Sequence, residues 1–123
     1  MATKTRTVTF QGAPLTLEGK SLRIGQKAPD VTLVAQDLSK VKLSKLKGKA
    51  VLISVVPSLD TPVCDIQTKR FNEEAAKLSE GILILTVSMD LPFAQKRWCL
   101  STGSSKIKTL SDYQGGEFGK GFG

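Results

Sequence analysis

The chemistry that this chain can carry out is concentrated at one cysteine, Cys64, and in the residues just before it. A long apolar run ends at Pro57, and a helix-start signal follows, in which Thr61 suits the N-cap and Pro62 the first helical position. Cys64 is then the third residue of the helix, beside unpaired amide groups and the positive end of the helix dipole. Both favour the thiolate, which is the nucleophilic form of cysteine. The spacing therefore predicts a thiol prepared for reaction.

The second cysteine, Cys99, lies in another predicted helix, and three interpretations of the pair remain open. Both thiols could be structural, because free cysteine is among the most buried residue types. They could form a permanent disulfide, which would stabilise the chain by about 4 kcal/mol through loop closure, although a cytoplasmic location argues against one. Alternatively, Cys64 is oxidised and Cys99 resolves it. Asp65 weakens this last interpretation, because a neighbouring carboxylate opposes a thiolate.

The absence of histidine from the sequence excludes several other kinds of site. Neither a Ser-His-Asp nor a Cys-His arrangement can form, and two cysteines without histidine make a poor zinc site. No glycine-rich phosphate-binding motif follows a predicted strand, so nucleotide binding has no support. The candidate chemistry is left to the two cysteines.

The length of 123 residues predicts one domain, with a net charge of +7 from 18 basic and 11 acidic residues. The densest basic run has lysines at 40, 42, 45, 47 and 49, and no arginine or aromatic residue interleaves it. A solvated loop is therefore favoured over a nucleic-acid surface. The chain shows neither a secretory signal nor an apolar run near the roughly 20 residues of a membrane span. We expect a cytoplasmic location and no binding to nucleic acid or membrane.

The order of predicted elements is that of an α/β fold with a parallel sheet and right-handed crossovers. The two most apolar strands are expected to be covered on both faces, Gly81 to end the first helix, and Asp90 to cap the second. The elements are a hairpin at 7–10 and 15–17, strands at 31–35, 41–43, 51–56, 82–87 and 106–110, a turn at 46–49, and helices at 62–78, 90–102 and 113–122. Reactive groups of such sheets lie beyond the carboxyl ends of the strands, where Cys64 is placed.

Two separate stretches resemble the bacterial thiol peroxidases, which are atypical two-cysteine peroxiredoxins. Pro57, Thr61 and Cys64 match the peroxiredoxin motif P-x-x-x-T-x-x-C, and the segment Ser88–Gln95 precedes Cys99 as in thiol peroxidases. The resemblance covers essentially the whole chain. It implies a thioredoxin-like fold, with a central, mostly parallel or mixed sheet flanked by helices and an N-terminal β-hairpin.

The resemblance also implies a role for each matching residue. Cys64 corresponds to the peroxidatic cysteine, which a peroxide oxidises to sulfenic acid, and Cys99 to the resolving cysteine, which forms an intramolecular disulfide with it. Thr61 corresponds to the threonine that hydrogen-bonds the thiolate and the peroxide, and Pro57 to the proline that shields the site. The implied substrates are hydrogen peroxide or alkyl hydroperoxides, the implied reductant is thioredoxin, and the implied assembly is a homodimer. The family carries no metal or organic cofactor.

One departure from the family concerns the end of the chain. Members of the family continue through two more strands and a helix, and that segment carries an arginine beside the peroxidatic sulfur. None of the four arginines of this sequence obviously replaces it. We therefore expect residues 1–123 to form a single thioredoxin-like peroxiredoxin domain that is truncated at its C-terminus. The alternative is a non-catalytic thioredoxin-fold module for redox sensing or binding.

Overall fold

The secondary structure alternates strands and helices in the predicted order. A computed structural model describes residues 5–46, 50–78 and 80–123. Its elements are β1 (Arg6–Phe10), β2 (Ala13–Leu17), β3 (Thr32–Val34), β4 (Lys40–Lys42), a 3₁₀ turn (Leu43–Lys45), β5 (Ala50–Val55), α1 (Pro62–Ala75), β6 (Ile82–Ser88), α2 (Pro92–Thr102), β7 (Lys108–Ser111) and α3 (Glu117–Phe122). Most of the predicted turn at 46–49 lies outside the described residues.

The N-terminal hairpin is a two-stranded sheet of its own. Strands β1 and β2 are antiparallel, with Arg6 opposite Leu17 and Phe10 opposite Ala13. The two linking residues, Gln11 and Gly12, both have positive φ, 51° and 79°. Two such residues suit a tight turn whose twist matches that of the strands, and glycine adopts this conformation without strain. The predicted hairpin is confirmed.

The main sheet has five strands in the order β4-β3-β7-β6-β5. Strands β5, β6 and β7 are parallel, and α1 and α2 connect them in sequence. Strand β3 is antiparallel to both β4 and β7, so the sheet is mixed. The predicted fold class is confirmed. The parallel register places the carboxyl ends of β5, β6 and β7, and the loops that follow them, at the same end of the sheet.

The core lies on both faces of the sheet. Ile84 and Leu85 are consecutive residues of β6, so their side chains point to opposite faces. Leu85 packs in a cluster with Leu110 and Phe118, which α3 contributes. Ile84 packs in a second cluster, here called the α-side cluster, whose buried members are Val56, Leu59, Ile84, Trp98 and Ile107. Strand β6 is covered on both faces, as predicted.

The prediction that the strand at 51–56 is covered on both faces is wrong. Strand β5 is at the edge of the sheet, and its Val51, Leu52 and Val55 are 36%, 41% and 57% exposed. A run of apolar and β-branched residues indicates a strand but does not fix the strand's position in a sheet. The apolar character of residues 51–56 therefore did not predict their burial.

Two predicted helix boundaries are also wrong. Helix α1 ends at Ala75, and Ala76, in a right-handed conformation, is its C-cap, so Gly81 does not end the helix. The N-cap of α2 is Leu91 instead of Asp90, because the Asp90 side chain is bound elsewhere. Gly103 does end α2, with a φ of 67°, as predicted. Among the described residues, no helix is long and apolar enough to cross a membrane.

Candidate active site

Cys64 lies where the sequence places it, in the first turn of α1 and beyond the carboxyl end of β5. Thr61 has the extended backbone of an N-cap, with φ −86° and ψ 145°, and Pro62 is the first helical residue. The first helical hydrogen bond runs from Asp65 N to Thr61 O, at 2.9 Å. The amides of Val63 and Cys64 precede that bond and have no partner within the helix. Half-buried Cys64 is therefore the third residue of a helix start whose first N–H groups have no partner within the helix.

The Thr61 side chain differs from its prediction as a capping group. Its hydroxyl makes no capping bond to the helix and donates instead to Ser58 O, at 2.9 Å. The Thr61 backbone amide contacts the same carbonyl at 3.3 Å. These two bonds close a turn over 58–61 and fix Thr61 one helical turn before Cys64. The hydroxyl oxygen keeps its acceptor capacity.

The turn that precedes Cys64 is bound to the end of β6 by one carboxylate, that of Asp90. Asp90 accepts hydrogen bonds from Ser58 Oγ at 2.7 Å, Leu59 N at 2.8 Å and Ser88 Oγ at 2.7 Å. Pro57 is exposed, and its carbonyl accepts a bond from Met89 N at 3.3 Å. Sequence reasoning assigned Asp90 to a helix cap and missed this role. The only available signal was the position of Asp90 within the segment that resembles thiol peroxidases.

Asp65, which was expected to oppose a thiolate at Cys64, is paired on both carboxylate oxygens. Oδ2 accepts from Lys69 Nζ and Oδ1 from the indole Nε1 of Trp98, each at 2.8 Å. These two hydrogen bonds, with that of Lys69 the larger cause, hold the pKa of Asp65 below its usual value. Its charge is therefore shared with two donors, which reduces the opposition to a nearby anion.

Cys99 lies on α2 in a different environment. It is half-buried, and its Sγ accepts a hydrogen bond from Gln36 Nε2 at 3.4 Å. The same Nε2 donates to Thr109 Oγ1 at 2.6 Å. Burial raises the pKa of the Cys99 thiol, and the bonds to Gln36 and Thr109 oppose that rise only in part. Cys99 is therefore held as a neutral thiol at neutral pH. Gln36, from the loop after β3, was not among the predicted site residues.

The structure brings the two cysteines to the same cluster without joining them. Both are free thiols, and both pack against the α-side cluster. Thr61 and Pro57 belong to the loop before α1, whereas Cys99 belongs to the neighbouring helix α2. A permanent disulfide is not present in this state. The arrangement is that of one thiol at a helix start and a second, protonated thiol on an adjacent element.

Comparison with known proteins identifies the family. A Redoxin family model matches residues 23–123. Thiol peroxidases from Halalkalibacterium halodurans and Bacillus subtilis are 58% and 51% identical to the chain over 116 residues, which cover 94% of the chain and 69% of each relative. The chain belongs to the thiol peroxidase family.

Solved structures agree with this membership. The crystal structure of a peroxiredoxin-like protein from Aquifex aeolicus matches with a TM-score of 0.88 and 43% identity, over 96% of this chain and 68% of that one. A thiol peroxidase from Chromobacterium violaceum matches with a TM-score of 0.83 over 95% of this chain and 67% of its own. At 21% identity, that second match supports the fold alone.

The environment of Cys99 in this thiol peroxidase gives a first prediction. In a Cys64→Ser background, alkylation of Cys99 should accelerate with a midpoint above the usual pKa of cysteine, because burial raises it. Gln36→Leu should move the midpoint higher still, since the Gln36 hydrogen bond lowers the pKa. The measurement is the rate of alkylation against pH, followed by intact mass. The exposed Gln114→Leu variant is the matched control. A midpoint at or below that of a free cysteine peptide would contradict the assignment.

Proposed function

We propose that this thiol peroxidase reduces hydrogen peroxide or alkyl hydroperoxides through Cys64. The thiolate attacks one peroxide oxygen, so that an S–O bond forms while the O–O bond breaks. Cys64 becomes a sulfenic acid, and the other oxygen leaves as water or an alcohol after taking up a proton. The observation that carries this proposal is the position of Cys64 in the first turn of α1, after a loop held by Asp90. A helix start lowers the free energy of the thiolate and of the charge that passes to the peroxide.

Cys99 is proposed to complete the oxidation. Its thiol sulfur attacks the sulfenic sulfur, an S–S bond forms, and water leaves with the sulfenic oxygen. The balance is two thiols and one peroxide giving one disulfide, water, and water or an alcohol. Thioredoxin, the proposed reductant, would return both thiols by dithiol exchange. The neutral state of Cys99 supports this order of events, because Cys64 then reacts first.

Thr61 and Pro57 are proposed to assist Cys64. The Thr61 hydroxyl, now donating to Ser58 O, would turn its proton toward the peroxide oxygen or the thiolate. Pro57 would limit the access of water to the thiol. Both proposals come from the match to the family motif. We further propose that residues 1–123 act as one domain, and that the protein forms a homodimer.

The proposed function is tested by a stoichiometric peroxide titration of the reduced protein, read by intact mass and Trp98 fluorescence. We expect a fast loss of two hydrogens, because one peroxide oxidises one pair of thiols. Cys64→Ser should abolish the fast step, and Cys99→Ser should stop at a product one oxygen heavier. A reaction no faster than that of a free thiol would overturn the proposal. It would favour the alternative of a non-catalytic redox module.

The role of Thr61 is tested by comparing Thr61→Val with Thr61→Ser. Valine keeps the shape but removes the hydroxyl, and loss of one preorganised donor costs other enzymes about 10²–10³ in rate. We expect Thr61→Val to slow the first oxidation at least about ten-fold, while Thr61→Ser stays near the original rate. Stopped-flow measurement of Cys64 oxidation decides the matter. Equal rates for the two variants would show that the Thr61 hydroxyl takes no part in the oxidation of Cys64.

Bridged cysteines have Cα atoms within about 7 Å and matched Cβ directions, and we expect two cysteines in separate helices to need motion to reach this geometry. Both cysteines are in folded helices in this structure. We expect the segment 91–103 to lose amide-exchange protection in its later residues when Cys64 and Cys99 are joined. Hydrogen exchange of the reduced and oxidised proteins, read by mass spectrometry, measures this. Equal protection in the two states would show that α2 stays folded.

A further inference from the structure

The residues beside the two cysteines are joined to each other. Asp65 follows Cys64 in α1, and Trp98 precedes Cys99 in α2. The indole Nε1 of Trp98 donates to Asp65 Oδ1 at 2.8 Å. This hydrogen bond crosses between the two helices, next to both thiols.

We propose that the Asp65–Trp98 hydrogen bond is a latch that sets the rate of disulfide formation between Cys64 and Cys99. This inference rests on the proposed function and adds two positioning residues to it. With the bond intact, Cys99 stays on the folded α2. When the bond breaks, the turn that carries Cys99 is released toward the oxidised Cys64.

The covalent structure makes the bond an obstacle to resolution. Trp98 and Cys99 are consecutive, so Cys99 cannot move by several ångströms while the indole keeps its place. Trp98 is only 7% exposed, and it belongs to the α-side cluster against which both cysteines pack. A hydrogen bond to an ionised acceptor is roughly twice as strong as one between neutral groups. Releasing Cys99 therefore requires withdrawing a buried ring and breaking a charge-assisted bond together.

Other contacts define where the motion begins. The buried side chain of Gln95 donates to Ser88 Oγ and Leu110 O, both at 2.9 Å, and thereby binds the first half of α2 to the sheet. Within the described part of the chain, the side chains of α2 beyond Gln95 bond outside the helix at three places: Trp98 to Asp65, Cys99 to Gln36 and Thr109, and Thr102 to nearby Ser104. The bonds of Cys99 involve a thiol sulfur, a weak partner, and the Thr102–Ser104 bond spans only two residues, so neither holds the helix to a distant element as strongly as the bond to the Asp65 carboxylate. The Asp65–Trp98 bond is therefore the main polar restraint on the second half of α2.

The test measures the two oxidation steps separately, by quenched flow and intact mass. Trp98→Phe keeps an aromatic ring in the cluster and removes the N–H donor. We expect disulfide formation to become about ten-fold faster, a change equal to about 1.4 kcal/mol in barrier height, while the formation of sulfenic acid does not accelerate, because Asp65 loses a donor and can only oppose the Cys64 anion more. Asp65→Asn retains a neutral acceptor and should give a smaller acceleration.

A double variant tests whether the two residues act through the same bond. In the Trp98→Phe background, Asp65→Asn should add no further acceleration of the resolving step, because the bond is already absent. If the rate increases of the two single variants multiplied in the double variant, the latch would be overturned. Phe71→Leu, which alters a neighbour of the same cluster, controls for general loosening. Lys69→Gln, which removes the other partner of Asp65, controls for charge. We expect neither control variant to change the resolving rate.

Failure of the latch and failure of the proposed function give different results. If the original chain forms no disulfide with peroxide, the function and the latch are both overturned. If it forms the disulfide, and Trp98→Phe resolves at the original rate, the latch alone is overturned. If Trp98→Phe folds poorly, Asp65→Asn still tests the latch, because the latch requires disulfide formation to be faster in that variant. Hydrogen exchange of the reduced variants, which should be faster over 96–103 only, provides a readout independent of peroxide.

Discussion

The carboxyl ends of three parallel strands are held together at Asp90. Its carboxylate binds Ser58 and Leu59, after β5, and Ser88, at the end of β6, while its backbone carbonyl accepts from Ser111 Oγ, at the end of β7. Buried or half-buried polar groups are stabilised only when they are paired, and here one residue pairs several of them. The position of the loop before α1, and with it that of Cys64, therefore depends on where β6 ends.

The two thiols are prepared by opposite physical effects. Cys64 lies at a helix start, where dipole and unpaired amides stabilise negative charge. Cys99 is half-buried against the α-side cluster, and burial raises its pKa. The sequence has no histidine, so no imidazole of this chain is available to activate either thiol. Both thiols pack against the same cluster, and its member Trp98 contacts the first turn of α1 through Asp65.

Local patterns predicted the parts of the structure that local physics determines. The Gln11-Gly12 turn, the buried β6, the proline at the start of α1 and the glycine after α2 all follow from backbone preferences and apolar periodicity. The edge position of β5 did not follow, because it depends on strand order. Asp90, Gln36 and the Asp65–Trp98 bond did not follow either, because each joins groups far apart in sequence. The proposed catalytic roles rest on the motif around Cys64, which backbone propensities do not supply.

The hydrogen bonds of Gln95 limit how much of α2 must refold after a disulfide is reduced. Because its amide is fixed to Ser88 and Leu110 inside the sheet, melting that starts at the end of α2 stops at roughly two turns of helix. Short helical segments rewind in about 0.1–1 μs. Reduction of a disulfide by another protein requires a diffusional encounter and is far slower. In the proposed cycle, reduction of the disulfide would be followed by a local coil-to-helix transition over the last two turns of α2, which is far faster than the encounter with the reductant.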